Sequence, residues 1–217
     1  MWDAILDAVF PPRCGGCGAR GEWLCQGCRE SVRAAPLTAC RRCRRLVSVA
    51  PCPMCEAGEG PDSMVALARL EGPLRSAVHR LKYGDRPQLA GPIVRATMVG
   101  RRVAPWTIVP VPLHPARRRR RGYNQSLLLA REMAAATGAP CLDALTRLRR
   151  GGRQVGRGGG ARREVLAGAF AWSADTVPGA VLLVDDVLTT GSTLLECALA
   201  ARAAGVSRVD TLAVALG

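Results

Sequence analysis

Apolar positions follow two alternating spacings through most of the chain. From residue 63 onward, short aliphatic runs of strand length are followed by segments in which apolar residues recur every three or four positions. Strands are predicted at Ser63–Leu70, Thr107–Val111, Val181–Val184 and Val209–Leu216. Helices are predicted at Pro73–Tyr83, Leu89–Met98, Ser126–Thr137 and Ser192–Ala204. Because strands that alternate with helices form βαβ units, we expect an α/β fold with a mostly parallel sheet flanked by helices.

The beginning of the chain has a different pattern, with closely spaced cysteines and short apolar runs. A segment containing glycine and proline, Glu56–Asp62, separates this part from the aliphatic remainder, and we place a domain boundary there. We therefore expect a small cysteine-rich module in residues 1–58 and an α/β domain in residues 62–217. Apolar residues at helical spacing also predict a short amphipathic helix within Met1–Pro12.

Eight of the ten cysteines form four Cys-x-x-Cys pairs, which are Cys14/Cys17, Cys25/Cys28, Cys40/Cys43 and Cys52/Cys55. Each pair places two thiolates on one side of a tight turn, and two pairs complete the all-sulfur tetrahedron that zinc accepts. Two zinc ions held this way would be structural, because no coordination position stays open. Pairing along the chain gives two such sites, although crossed pairing and an iron–sulfur cluster also satisfy the spacing. Redox chemistry is disfavoured, since thioredoxin-type proteins use a single such pair.

The chain is strongly basic, with 31 Lys and Arg residues against 17 Asp and Glu residues and a formal net charge of +14. Clustered cations attract nucleic acids, and four arginines flank the third cysteine pair, at positions Arg41, Arg42, Arg44 and Arg45. The same arginines could instead offset the negative charge of a four-thiolate zinc site. All the basic residues except Lys82 are arginines, and arginine also suits small phosphorylated ligands.

No apolar run reaches the roughly 18 residues that a membrane-spanning helix needs, and the N-terminus lacks the pattern of a signal peptide. We therefore expect a soluble, cytoplasmic protein. The two remaining cysteines, Cys141 and Cys197, stand among apolar residues and are expected in the core.

The segment Val181–Thr193 reads VLLVDDVLTTGST and carries most of the chemical information in the chain. Its aliphatic residues predict a buried strand, and Asp185 and Asp186 follow at the carboxyl end, where ligands bind in open α/β sheets. The next loop offers backbone N–H groups, hydroxyls and a helix N-terminus, which together bind phosphate. Its residues are Thr189, Thr190, Gly191, Ser192 and Thr193. Two adjacent carboxylates beside a phosphate site suit the hydroxyls of a ribose, with Mg²⁺ bridging to the phosphates.

A hydrophobic strand that ends in two acids also occurs in P-loop ATPases. Those enzymes require an upstream G-x-x-x-x-G-K-[ST] motif, and this chain contains no Gly-Lys pair, so that class is excluded. Adjacent aspartates can also simply cap a helix. Capping does not account for the Thr-Thr-Gly-Ser-Thr sequence that follows them.

The segment resembles the phosphoribosyl pyrophosphate motif of type I phosphoribosyltransferases. By that resemblance, Asp185 and Asp186 contact the ribose hydroxyls, and the Thr189–Thr193 loop holds the 5′-phosphate. Further elements follow through the whole chain, and they are the cysteine module, Leu81-Lys82-Tyr83-Gly84, Val109-Pro110-Val111-Pro112-Leu113-His114, Arg121-Gly122-Tyr123-Asn124-Gln125 and Gly168-Ala169-Phe170. Together and in this order, they resemble the bacterial ComF family.

The resemblance also implies a pyrophosphate-binding loop after the Val109–Pro112 strand. Candidate residues there are His114, Arg117, Arg121, Tyr123, Asn124 and Gln125; one or two of the arginines in Arg117–Arg121 are expected to face the ligand and the rest solvent. Lys82, the only lysine, is a further candidate. The glycine- and arginine-rich stretch Arg147–Arg163 resembles the flexible loop that closes over the substrate in such enzymes. The asparagine that the family carries just before Gly168 is absent here.

The resemblance implies a protein that binds phosphoribosyl pyrophosphate with Mg²⁺ and transfers its phosphoribosyl group, releasing pyrophosphate. Some family members are implicated in DNA uptake during competence, so single-stranded DNA and DNA-uptake proteins are candidate partners. The alternative is a non-catalytic adaptor that binds a nucleotide or DNA within an uptake complex. The sequence leaves open the acceptor base, the occurrence of catalysis and the oligomeric state.

Overall fold

A computed structural model of the protein describes residues 11–101, 106–148 and 168–217. The helix predicted at the start of the chain and most of the Arg147–Arg163 loop lie outside these residues, so both stay predictions.

Eight strands form two sheets in the described residues. The strands are β1 (Thr38–Ala39), β2 (Leu46–Val47), β3 (Ser63–Arg69), β4 (Thr107–Pro110), β5 (Leu145–Arg147), β6 (Phe170–Trp172), β7 (Ala180–Leu188) and β8 (Arg208–Leu216). The main sheet has the order β1-β2-β3-β8-β7-β4, and β5 and β6 form a separate antiparallel pair. All neighbours in the main sheet are parallel except β1 and β2. The predicted α/β class with a mostly parallel sheet is confirmed.

The helices lie on both faces of this sheet. They are α1 (Gln26–Glu30), α2 (Pro53–Ala57), α3 (Gly72–Tyr83), α4 (Ala90–Thr97), α5 (Pro115–Arg121), α6 (Gln125–Thr137) and α7 (Ser192–Ala203), with a 3₁₀ turn at Pro87–Leu89. One core cluster joins α3, α4 and α6 to the sheet. The second core cluster joins α7, the β5–β6 hairpin and Met54 of α2 to the sheet. The two clusters make a three-layer structure, because residues of one strand alternate between the faces. In β7, Leu182 and Val184 belong to the first cluster, and Val181 and Leu183 to the second.

The cysteine-rich part contacts the α/β part at two places. The segment with the first two cysteine pairs packs on α3, where Arg80 donates a hydrogen bond of 2.8 Å to the carbonyl of Cys14. The segment with the last two pairs joins the main sheet, since β2 lies parallel to β3. Its apolar residues Val47 and Met54 belong to the core cluster under α7. Each half of the cysteine-rich part therefore rests on a different face of the sheet.

Most predicted elements agree with the observed ones within one or two residues, and three differences have physical reasons. Strand β7 continues to Leu188 instead of ending at Val184, because its neighbour β8 pairs with it along that whole length. The arginine run forms helix α5, which begins with a proline and ends at Gly122 in a left-handed conformation. The expectation of a buried Cys141 is wrong: it is exposed beside the edge strand β4, whereas Cys197 is buried. Among the described residues, no helix is long and apolar enough to cross a membrane.

Candidate functional site

The two adjacent acids lie inside β7, near its carboxyl end. Asp186 is almost fully buried, with 4% of its surface exposed, and Asp185 is partly exposed. Oδ1 of Asp185 accepts hydrogen bonds from the hydroxyl of Ser126 and from the backbone N–H of Asp186, both at 2.8 Å. Ser126 lies in the first turn of α6, so this helix fixes the orientation of the first acid. Sequence reasoning missed Ser126, because a serine at a helix start usually serves as a cap.

Lys82 supplies the countercharge for the second acid. Its Nζ lies 2.8 Å from Oδ1 of Asp186, and the side chains of the pair are 22% and 6% exposed. Oδ2 of Asp186 is buried and has no hydrogen-bond partner. A buried carboxylate oxygen without a partner is costly, and it marks a position where a bound cation or hydroxyl group would be stabilised. Lys82, the only lysine in the chain, thus contacts one of the two acids that are predicted to bind the ribose.

The environment of the pair changes the acidity of Asp185. Burial, followed by the negative charge of Asp186, raises the pKa of Asp185 to about 7, and the nearby charge of Lys82 opposes this change. A carboxyl group that titrates near neutral pH can hold a proton without ligand and lose it when a cation or hydroxyl donor arrives.

The predicted phosphate loop connects β7 to α7. Residues 187–194 together with Asp185 line a small concavity of about 40 Å³. The hydroxyls of Thr190 and Ser192 lie 3.0 Å apart in the loop, and Gly191 adopts a left-handed conformation with φ +78°. The N–H groups in the first turn of α7 have no acceptors within the helix and carry its positive dipole end. The loop therefore combines the donor groups that bind a phosphate.

The predicted pyrophosphate residues lie on α5 and at the start of α6. His114 caps α5, accepting a hydrogen bond of 3.2 Å from the N–H of Ala116. Arg117 is exposed, and Arg121 is half-buried, donating to Gln125 and lying 5.0 Å from the ring of Tyr83. The arrangement leaves the exposed arginines of α5 free to turn towards a ligand or towards solvent.

Two more of these predicted residues, Tyr123 and Asn124, form hydrogen bonds to the backbone of neighbouring elements. The hydroxyl of Tyr123 donates to the carbonyl of Leu81 at 2.5 Å, beside Lys82. The side-chain amide of Asn124 donates to the carbonyl of Val111, and its oxygen caps α6. These contacts connect the last turn of α3 and the residue after β4 to the start of α6. The roles proposed for both residues in ligand binding stay predictions.

Two concave surfaces flank α5. A cavity of about 280 Å³ lies between α5 and the β5–β6 hairpin, and Arg118, Asp143 and Ser173 are among its lining residues. An open groove of about 500 Å³ on the other side contains Lys82 and Tyr83 together with arginines of α5. Because Lys82 contacts Asp186, this groove adjoins the acid pair.

The eight paired cysteines form two separate clusters. One contains Cys14, Cys17, Cys25 and Cys28, and the other Cys40, Cys43, Cys52 and Cys55; the sulfur atoms of each lie within 4.8 Å of one another. Sulfur–sulfur separations of 3.5 to 3.8 Å occur in both. A zinc ion with Zn–S bonds of about 2.3 Å requires tetrahedron edges of about 3.8 Å. Both clusters could therefore hold zinc, and they pair the cysteine motifs in chain order.

The thiols of the second cluster also differ in acidity. Backbone N–H groups of Cys43 and Arg42 lower the pKa of Cys40 to about 6. Burial raises the pKa of Cys55 to about 12. A cluster that stabilises a thiolate at one position and keeps neighbouring thiols protonated offers ligands that a divalent metal would convert to thiolates. Three of the arginines around this cluster, Arg41, Arg42 and Arg44, are exposed, and Arg45 is half-buried.

Comparison with known proteins identifies relatives along most of the chain, although no family model matches it. Competence protein F of Haemophilus influenzae is 31% identical over 205 residues, which cover 88% of this chain and 90% of that protein. The DNA utilization protein YhgH of Escherichia coli strain K12 is 31% identical over 193 residues, covering 83% and 85%. A solved structure of the allosteric regulatory enzyme of purine biosynthesis shares 23% identity, with a TM-score of 0.39, over 67% of this chain and 27% of that one. The identity and coverage of the first two relatives show that the chain belongs to the ComF family.

Proposed function

We propose that the protein binds phosphoribosyl pyrophosphate with Mg²⁺ at the end of β7 and transfers its phosphoribosyl group to an acceptor. The observation that carries this proposal is the position of the acid pair next to the phosphate loop. Asp185 and Asp186 would accept hydrogen bonds from ribose hydroxyls, and the loop at the start of α7 would hold the 5′-phosphate. The unpartnered Oδ2 of Asp186 supports a ligand at this position, since a hydroxyl or cation would satisfy it.

Transfer breaks the bond between C1′ and the pyrophosphate oxygen, which keeps the electron pair, and leaves an oxocarbenium-like sugar. The acceptor nitrogen then forms a bond to C1′ and loses a proton. When bound, Mg²⁺ would neutralise part of the negative charge on the leaving pyrophosphate. The protein would fix the ribose through the acid pair and stabilise the leaving group with cations from α5. This chemistry needs no protein nucleophile.

We also propose a role in DNA uptake or competence, in the cytoplasm. The support is the name of each relative, one a competence protein and the other a DNA utilization protein. A non-catalytic adaptor would bind a nucleotide at the same acid pair and loop, and it would bind DNA through the cysteine-rich part. The two functions differ in one measurable property, because only the transferase releases pyrophosphate when an acceptor base is supplied.

The acid pair gives the first test of ligand binding. We expect Asp185→Asn/Asp186→Asn to lose binding of phosphoribosyl pyrophosphate, because amides neither bind Mg²⁺ well nor accept as strongly from the ribose hydroxyls. Calorimetric titration with Mg²⁺ and the ligand measures this, and Asp175→Asn, an exposed acid that lines none of the described cavities, is the control. Absence of binding by the wild-type protein would overturn the proposal.

Binding should also depend on pH. Because the pKa of Asp185 is about 7 in the free protein, a ligand that requires its ionised form binds more tightly as the pH rises through that value. Affinities measured between pH 6 and pH 8 test this dependence. The ligand's own phosphate titrates near pH 6, and the weaker-binding Asp185→Asn variant isolates that contribution. Equal slopes in the two proteins would contradict a role for this proton.

Lys82 should stabilise the folded protein through Asp186. Lys82→Met leaves a buried carboxylate without its cation, and we expect a loss of about 3 kcal/mol in the free energy of unfolding, as for other broken buried pairs. Urea unfolding at pH 8 measures the change. The double variant Lys82→Met/Asp186→Asn should recover most of this loss, since no buried charge is left. If it is as unstable as the single variant, the ion pair is not the cause.

We propose zinc in both cysteine clusters, with a structural role. The two cysteine-rich segments contain only two-residue strands and five-residue helices among the described residues. Bound metal would therefore supply much of the free energy with which they fold. Protein refolded with a strong chelator should therefore be cleaved by protease within residues 11–58, whereas protein refolded with zinc should resist. Identical cleavage under both conditions would show that the segments fold without metal.

A further inference from the structure

The phosphate loop lies against Pro53, a residue between two cysteines of the second cluster. Gly191, in the middle of the loop, faces Met64 of β3 and Pro53 of α2. A methyl group at Gly191 would overlap Met64 Sδ and lie 3.2 Å from Pro53 Cγ. The left-handed conformation of Gly191 and the absence of a side chain there allow the loop to pack this closely. Met64 itself is fully buried.

Helix α2 is held between ligands of the second cluster. Cys52 precedes the helix as its N-cap, and Cys55 is its third residue. Pro53, which contacts the loop, therefore lies between two cysteines of one proposed metal site. A metal bound by both thiolates would fix the position of this short helix. Five residues with no side-chain cap have little intrinsic tendency to stay helical.

The same segment supports the first turn of α7. Gly60, just after α2, lies so close to Leu195 that an added methyl group would be 2.5 Å from Leu195 Cδ1. The buried Met54 of α2 lies at the same contact, 3.6 Å from that position. The phosphate loop and the helix whose N-terminus completes it thus share one supporting surface.

The first cluster contacts another part of the protein. Gly16 packs against Pro73 at the start of α3, and Gly15 packs against Leu89. This cluster supports the helix that carries Lys82, and it forms no contact of this kind with the loop among the described residues. The two clusters can therefore be compared as matched structures with different neighbours.

We infer that the second cysteine cluster is a positioning element of the phosphate site, so that metal bound there holds Pro53 against Gly191 and keeps the loop in its phosphate-binding conformation. This inference rests on the proposed binding of phosphoribosyl pyrophosphate for its functional consequence, but its structural part stands independently. Loss of the metal, by chelation or by oxidation of the thiolates, would lower ligand affinity without changing any ligand-contacting residue.

The test compares two double variants that each remove two sulfur ligands, Cys43→Ser/Cys52→Ser in the second cluster and Cys17→Ser/Cys25→Ser in the first. Each protein is measured for bound zinc, for hydrogen exchange of the loop residues 189–195, and for affinity towards phosphoribosyl pyrophosphate with Mg²⁺. We expect both to lose one zinc ion, and only the second-cluster variant to show faster exchange in the loop. Its affinity should fall by at least about fivefold, the lower end of usual coupling between sites.

A second pair of variants keeps all eight cysteines and guards against misfolding of the double variants. Pro53→Ala removes Cγ, the proline atom that faces Gly191, and Pro73→Ala is the same substitution at the start of α3, where the atom that faces Gly16 is Cβ and is kept. Both should retain two zinc ions, and only Pro53→Ala should accelerate exchange in the loop. Pro53→Ala should weaken ligand binding as well, whereas loop exchange is the readout that separates it from Pro73→Ala, because α3 carries Lys82. Unchanged exchange in both second-cluster variants would overturn the inference. If the wild-type protein fails to bind the ligand, the proposed function is wrong, and exchange in the loop alone decides this inference.

Discussion

Two aspartates follow one another near the carboxyl end of β7, and the electrostatic repulsion between their carboxyl groups is the constraint that the neighbouring contacts offset. One acid is neutralised by Lys82 at 2.8 Å, and the other has its pKa raised to about 7 by burial and by its neighbour. The pair therefore carries less negative charge than two separate aspartates would near neutral pH. Such an arrangement lowers the cost of keeping acids in the interior while leaving oxygen atoms available for a ligand.

The elements around the two aspartates supply the groups that offset their negative charge. Helix α3 brings Lys82 over one face of the strand end, and α6 brings Ser126 to the other acid. Hydrogen bonds from Tyr123 and Asn124 connect these helices with each other and with the end of β4. The cysteine-rich segments then hold the outer surfaces of α3 and of the phosphate loop. A small cysteine-rich part at the start of the chain is in this way integrated with a site formed near its end.

Local patterns in the sequence were sufficient for the alternation of strands and helices, because each element carries its own periodicity. They were also sufficient for the two cysteine clusters, since a Cys-x-x-Cys turn fixes its thiolates locally. The strands β1 and β2 could not be predicted in the same way, because two residues are too few to show alternation. The helix α5 could have been recognised from the proline before the arginine run and the glycine after it.

The partners of the acid pair illustrate what the sequence cannot supply. Lys82 and Asp186 are far apart in the chain, and only the folding of α3 onto β7 brings them together, so no spacing rule relates them. Lys82 is noticeable in the sequence because it is the single lysine among many arginines. This composition does not indicate what the residue contacts. The structure gives a physical reason for that choice: an ammonium group is a compact point charge that fits a single buried oxygen, whereas a guanidinium needs a wider, bidentate site. A lysine at this position therefore pairs with one oxygen of Asp186 and leaves the second, buried oxygen without a hydrogen-bond partner.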